Sequence, residues 1–459
     1  MAHLIPAQFT KFLENISFRN TFSSGIASIA TQSDGKILVG GAFTNYGPAG
    51  RSSAVRLNVD GNVDTAFCVN AADVNKFNTN VISTAIQPDG KMLVGGAFTN
   101  YSGTTGRNRL VRLNSDGTVD TAFCLNATDG TKFNGGVFSI ATQPDGKILV
   151  GGSFIDYAGT TGRSRLIRLN SDGTLDTAFC VNAADGGKFG GAISSIAVQP
   201  DGKIVVGGAF ANYAGTTGRS RLVRLNSDGT LDTAFCVNAV DGGKFGSAIN
   251  AVTVQSDGKI LVGGASTNYA GTANRNRIVR LNSDGTLDTV FTDNASTPPK
   301  GSGLCNAMVM QSDGKILVGG AFTNYAGTTG RSYVVRLNSD GTLDTAFCVN
   351  AVDGGKFGSA INAVTVQSDG KILVGGSFID YAGTTGRSRL VRLNSDGTLD
   401  TAFCVNAADG NKFPIGAVTG MAIQSNDKIL LYGTFTNSIL FANRYCTGMK
   451  RINTYGLSI

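Results

Sequence analysis

No tryptophan occurs in this chain, and it holds a single histidine and a single glutamate, His3 and Glu14. Proton transfer in enzymes usually falls to His or Glu at a tuned position, and both of these lie near the start of the chain. A glycan-cleaving pair would have to be built from two aspartates, yet nearly every Asp recurs at a turn position. No Walker loop, Gly-x-Ser-x-Gly elbow or zinc motif is present. The expectation is a protein without enzymatic activity, cofactor or metal.

Long apolar runs are missing as well, so no segment approaches the ~20 residues needed to span a bilayer as a helix. Residues 1–22 lack the basic-then-apolar order of a secretory signal, and no export leader is expected. With one glutamate against 63 glycines, helical periodicity is not visible beyond the first residues, and the chain reads as all-β. The formal net charge of +7 is spread evenly, with Asp beside Lys and Arg. Nucleic-acid binding needs clustering on one face and is not expected.

Eight cysteines are present, but their spacing argues against a disulfide framework. Cys68, Cys124, Cys180, Cys236, Cys348 and Cys404 each follow the same Asp-Thr-Ala-Phe. Equivalent positions of neighbouring repeats lie beyond the ~7 Å Cα limit of a bridge. Cys305 and Cys446 are off this pattern. Free, mostly buried thiols and a reducing compartment are expected.

What the chain does have is repetition. Asp-Gly-Lys begins at Asp34, Asp89, Asp145, Asp201, Asp257, Asp313 and Asp369, in steps of 55 or 56 residues, and a degenerate copy reads Asn426-Asp427-Lys428. In the fourth unit, 193–199 alternates apolar and polar as a strand does. Pro200-Asp201-Gly202 is a tight hairpin turn, 203–210 a second strand, 221–226 a third, Ser227-Asp228-Gly229 another turn and 230–235 a short fourth strand. Four short antiparallel strands per ~56 residues predict a propeller blade. A parallel β-solenoid, with one coil per ~20–30 residues, would not need regular Asp-Gly hairpins.

The expected architecture is an eight-bladed β-propeller over 16–459, preceded by an N-terminal arm, 1–15. The inner strands start near 27, 81, 137, 193, 249, 305, 361 and 418. The last unit stops one strand short, and 16–22 sits where 231–235 sits elsewhere, so strand pairing between the two ends would complete one shared blade and remove open sheet edges.

The segments 143–154 and 168–179 match almost residue for residue the consensus Gln-Pro-Asp-Gly-Lys-Ile-Leu-Val-Gly-Gly-Ser-Phe and Arg-Leu-Asn-x-Asp-Gly-x-Leu-Asp-x-x-Phe. On these motifs the chain resembles the delta-60 repeat family of β-propellers over roughly 16–453. The resemblance implies the fold strongly and the function weakly. Two departures stand out: an extra loop of ~10 residues per unit, as at 236–245, and no export signal of the kind bacterial members often carry. The Ser-x-Asp-x-Gly-x-Thr-Trp box of sialidase-type propellers cannot form without Trp.

In an antiparallel meander the two tight Asp-Gly turns share one face of the disc, and both long loops share the other. The first long loop carries Tyr46, Tyr101, Tyr157, Tyr213, Tyr269, Tyr325 and Tyr381, with Arg107, Arg163, Arg219, Arg331 and Arg387 nearby. Loops on a rigid scaffold carry binding, and Tyr and Arg are favoured at hot spots. These residues either form a contact surface, or the Tyr packs onto its own loop and the Arg pairs with a neighbouring Asp. The runs such as 170–176 lack the full calcium-loop spacing and its distal Glu, and a hairpin turn accounts for them.

The seam 292–300 keeps the common length but changes sequence, and a special contact there competes with simple drift. Residues 223–264 are identical to 335–376, a recent copying that suits shuffled binding loops and is equally compatible with neutral duplication. The expected role is a rigid binding or structural module of a virion, tail or fibre-associated, recognising a host glycan or protein on the long-loop face, with 1–15 docking on a virion or scaffold protein. The alternatives are a bacterial surface or extracellular adhesin, and a glycan-cleaving enzyme using Asp pairs.

Overall fold

The computed structural model describes residues 26–42, 52–58, 64–67, 77–101, 108–123, 133–157, 163–179, 189–213, 219–235, 245–255, 257–264, 268–269, 272–273, 278–291, 305–322, 332–347, 357–379, 381, 388–403, 417–423, 429–436 and 447–452. Apart from a helical turn at 289–291, the regular structure of these residues is β: eight three-stranded antiparallel sheets, one per repeat, plus a two-stranded hairpin in the fifth unit. In the fourth unit Ile193–Val198 pairs with Ile204–Gly208, which pairs with Leu222–Leu225. The second strand is buried on both faces, which is why it reads Ile-Val-Val-Gly-Gly without alternation.

Turn chemistry fixes the register. Gly202 sits at φ 81°, the left-handed region its neighbours would resist. Its N–H donates to the Gln199 carbonyl at 2.9 Å, and the Lys203 N–H donates to Asp201 Oδ1 at 3.0 Å. Ser227-Asp228-Gly229 repeats this scheme, with the Thr230 N–H on Asp228 Oδ1 at 2.8 Å.

The expected fourth strand is shorter than the sequence implied. Leu231 makes one bridge to Leu225, and Thr233–Phe235 turns away. The cause is Asp232, whose Oδ1 accepts the Ala234 N–H at 3.1 Å while its carbonyl accepts the Phe235 N–H at 3.1 Å. A side chain that caps its own following turn competes with the ladder and ends it. Strand pairing of 16–22 with the last unit, and the arm 1–15, lie outside the described residues. So do six recurrent cysteines, Cys446 and the seam 292–300; Cys305 opens the first strand of the sixth unit.

Successive sheets pack through their first strands: each approaches the first strand of the next unit from one to five and again from six to eight. Third strands show no such approach, so the sheets converge on the side of their first strands. The paired glycines make this possible. A Cβ on Gly151 would meet Ile193 Cγ2 and Ile196 Cδ1 of the next unit, each at 2.8 Å. Gly152 faces its own unit instead, and a Cβ there would strike the Gly136 carbonyl. That second approach accompanies a register shift in the first strand between Val137 and Ser139. The same shift recurs in all eight first strands. Each unit therefore carries a β-bulge at the second residue of its first strand.

Gly151→Ala crowds side chains, and overpacking of this kind costs about 1–3 kcal/mol. Gly152→Ala meets backbone, which cannot swing aside. Thermal unfolding followed by circular dichroism will show a lower midpoint for both variants, and the larger drop for Gly152→Ala.

Candidate functional site

The recurrent charges turn inward. In the third unit Arg168 from the third strand stands 2.8 Å from Asp176, and Lys147 reaches the same Asp Oδ2 at 3.0 Å. The guanidinium lies over the Phe179 ring, 4.4 Å from its centroid. It also donates to Gln143 Oε1 at 3.4 Å and to the Ser227 carbonyl, which belongs to the next unit. Arg and Asp are both buried. Seven units repeat the Lys–Asp–Arg–Phe part of this arrangement, with Arg–Asp separations of 2.7–2.8 Å and Arg–Phe distances of 4.1–4.5 Å, whereas in units five and six the Oε1 atoms of Gln255 and Gln311 are buried without a hydrogen-bond partner. The motif residues Gln, Lys, Arg, Asp and Phe are thus one staple within and between sheets. Sequence reasoning placed the Lys and Asp in turns and missed the staple. The signal was available in the fixed eight-residue step from Arg to Asp.

Burial alone would raise the carboxyl pKa of Asp64, Asp120, Asp176, Asp232, Asp288, Asp344 and Asp400. Hydrogen bonds and charge from the paired Arg and Lys outweigh it and hold each below the ordinary 3.8. Asp116, Asp172, Asp228, Asp284, Asp340 and Asp396 are also lowered, chiefly by hydrogen bonds from the Thr two residues on. These carboxylates are ionised and committed to turns or staples.

The tyrosines take the second of the two alternatives. Tyr101, Tyr157, Tyr213 and Tyr381 are only 1–2% exposed, which corrects their assignment as surface contacts. Each bridges through its backbone to a Phe at the end of the other long loop, as Tyr157 does to Phe133. Phe133 packs against both Phe154 and Tyr157, with ring centroids 4.9 Å apart in each case. The Tyr therefore pins two loops together. Arg163 donates to the carbonyls of Phe179 (2.8 Å) and Thr177 (3.3 Å), and Arg219 to that of Phe235 (2.9 Å). Both brace the turn after the stapling Asp, rather than pairing with an Asp side chain. Tyr46, Tyr325, Arg107, Arg331 and Arg387 lie outside the described residues. Tyr269 lies in the short hairpin of the fifth unit.

The residue before the third strand is strained in the same way from unit to unit: Ser53, Arg109, Arg165, Arg221, Tyr333 and Arg389 have φ of 59–68°. Backbone hydrogen bonds hold the position, as where the Arg165 N–H donates to Phe154 O at 2.8 Å and its carbonyl accepts the Gly152 N–H at 2.9 Å. Strain that recurs throughout belongs to the scaffold.

Among the positions that differ between units is the bulge. The second residue of the first strand, which the bulge leaves out of the register, is Ala27, Ile82, Phe138 and Ser194 in units one to four, and Asn250, Asn306, Asn362 and Thr419 in units five to eight. A bulge re-aims its side chain out of the ladder. Ala27, Asn250, Asn306 and Thr419 are exposed, and the other four are half-buried. The amides link neighbouring units: Asn306 Nδ2 donates to Ile361 O at 3.0 Å and to Asn362 Oδ1 at 3.4 Å, and Asn362 Nδ2 donates to Val418 O at 3.3 Å. Away from this row, the exposed apolar side chains Ile155 (56%) and Ile379 (62%) follow the second strands of units three and seven.

Seven segments, 32–67, 87–123, 143–179, 199–235, 255–291, 311–347 and 367–403, match the family described as "Domain of unknown function (DUF5122) beta-propeller". They cover more than half of the chain. The chain belongs to this β-propeller family. No curated protein matches it. Among solved structures it is similar to the Dos1 propeller (14% identity, 76% of this chain, 74% of that chain, TM-score 0.43). It is similar also to virginiamycin B lyase from Staphylococcus aureus (12%, 77%, 93%, 0.38). A third is the extracellular domain of a one-component system, BT4673, from B. thetaiotaomicron (11%, 92%, 51%, 0.36). The chain spans about half the length of the two extracellular-domain structures it matches first, 45% and 51%. The bulge row lies at the start of each first strand, on the side where the sheets converge.

The lowered Asp pKa values set a pH dependence. The staple contributes stability above the unfolded carboxyl value and loses it as pH falls through the lower folded values. The urea midpoint will stay level from neutral pH to about pH 5 and fall below about pH 4. Asp232→Asn leaves Arg224 buried without its charge partner, a change that typically costs about 3–5 kcal/mol. It will lower the thermal midpoint at pH 7 and flatten part of the acid slope.

Proposed function

We propose that the chain is a rigid, non-enzymatic binding module: an eight-bladed propeller that recognises a surface glycan or protein at the end where the long loops meet the bulged first strands. The observation that carries this proposal is the division of labour among residues. Recurrent Asp, Lys, Arg, Gln, Phe and Tyr are consumed in staples, turns and loop pinning, whereas the bulge position varies and keeps solvent access. Binding residues placed on a rigid frame behave in this way. The turn and staple carboxylates that an Asp-pair glycosidase would need are ionised and hydrogen-bonded, which does not suit a general acid. Near-identical repeats favour a virion setting, in a tail or fibre, where loop turnover changes the partner recognised.

Three measurements test the proposal. Fluorescently labelled protein will bind intact host cells, Ser194→Arg at the bulge row will abolish binding, and Ser227→Arg on the turn side will not. Equal binding by both variants would place the contact elsewhere. Mass spectrometry of purified particles will detect the chain in the virion. Two-dimensional class averages will show eight blades in a closed ring; seven blades or an open coil would overturn the closure. Sugar release from a polysaccharide by the wild type, lost on Asp substitution, would make the chain an enzyme.

A further inference from the structure

We propose that the bulge row is a binding site for an uncharged saccharide, with Phe138 as the platform for a sugar ring and the Asn250, Asn306 and Asn362 amides as partners for its hydroxyls. This rests on the binding-module proposal and names the ligand class for the same end of the propeller. The first support is what the eight bulge positions hold. None is charged, in a chain where 15% of residues are charged. A site for a phosphate, a sialylated glycan or an acidic peptide would place Lys or Arg here.

The second support is the order of the row. It runs from apolar in units one to three to amide in units five to seven, with hydroxyl side chains at Ser194 and Thr419. A pyranose has this same two-sidedness, with a C–H face that lies on an aromatic ring and a rim of hydroxyls. Ligand sites combine apolar and aromatic lining with a few placed polar groups, and an aromatic face carries the negative potential that attracts C–H groups.

The third support is that both halves are held in place. A Cβ on Gly136 would meet Phe138 Cε1 at 2.6 Å, so the ring position depends on glycine there. Glycine stands here in units one and three, Gly25 and Gly136; the equivalent residue is Asn80 in unit two, Ala192 in four, Ala248 in five, Leu304 in six, Ala360 in seven and Ala417 in eight. In unit three the aromatic residue occurs together with the space for it. On the amide side, the Asn306 Nδ2 group is tied to Ile361 O and Asn362 Oδ1. That fixes the amide and leaves its carbonyl oxygen as an acceptor for a hydroxyl. Ordering costs are then met before binding, as in other preorganised sites.

The test is an array of immobilised neutral and sialylated oligosaccharides probed with the labelled full-length protein. The wild type will bind at least one neutral structure, and free oligosaccharide of that structure will compete. Phe138→Ala and Asn306→Ala will each weaken binding tenfold or more. Gly136→Ala, which displaces the ring without removing it, will do the same. Ala178→Ser, exposed in the turn after the stapling Asp176, will leave binding unchanged. Melting curves within two or three degrees of the wild type, about the shift expected for under 1 kcal/mol, will separate lost contact from lost fold. Unchanged affinity in Phe138→Ala and Asn306→Ala, or binding confined to sialylated structures, would overturn the saccharide site. A blank array together with a protein partner lost in the same variants would overturn it too, while leaving the binding module standing.

Discussion

Removing Arg168 and Asp176 from water is costly, and their attraction repays that cost only if every remaining donor and lone pair is satisfied. The rest of the molecule is arranged to satisfy them. Lys147 from the first hairpin, Gln143 at the end of the first strand and the face of Phe179 all close around the pair. The last donor reaches the Ser227 carbonyl in the next unit. A unit alone would leave that donor exposed and Gly151 uncovered. The staple therefore makes each sheet dependent on its successor, which is the nearest-neighbour coupling of repeat proteins.

Because the coupling uses one backbone carbonyl and one glycine surface, each interface is nearly interchangeable with the next. A copied unit finds the same Ser carbonyl and the same β-branched residue waiting for it. The identity of 223–264 with 335–376 is tolerated for that reason. The sixth unit tests the limit: Cys305 stands where the neighbouring first strands open with Ile249 and Ile361, and its sheet still pairs in the common register.

The strands and hairpins were legible in the sequence because local chemistry determines them. Gly202 at positive φ and Asp201 capping the Lys203 N–H are decided within four residues. The fourth strand was misread because apolar Leu231 and Phe235 were taken as one ladder, when Asp232 between them caps its own turn. Tyr157 was misread as a contact residue because a tyrosine in a polar loop carries no sign that Phe133, arriving from the other long loop, will cover it. The staple was hidden for a related reason. Lys147 and Asp176 lie 29 residues apart and each has a plausible local role, so only tertiary proximity shows that they share one carboxylate oxygen.

These errors share a direction, and it bears on where function resides. In each case a residue that recurs in seven of the eight units was credited with more freedom than it has. Recurrence at a fixed step means that the same neighbours are met again and again, and a residue with fixed neighbours is available to the fold rather than to a ligand. The bulge position has the opposite character. Its backbone is left out of the ladder in every unit, and its identity changes from Ala to Phe to Asn along the chain. A scaffold that holds nearly everything constant while leaving one re-aimed side chain per blade free to vary is physically suited to recognition, because chemistry can change at that position without disturbing the staple beneath it.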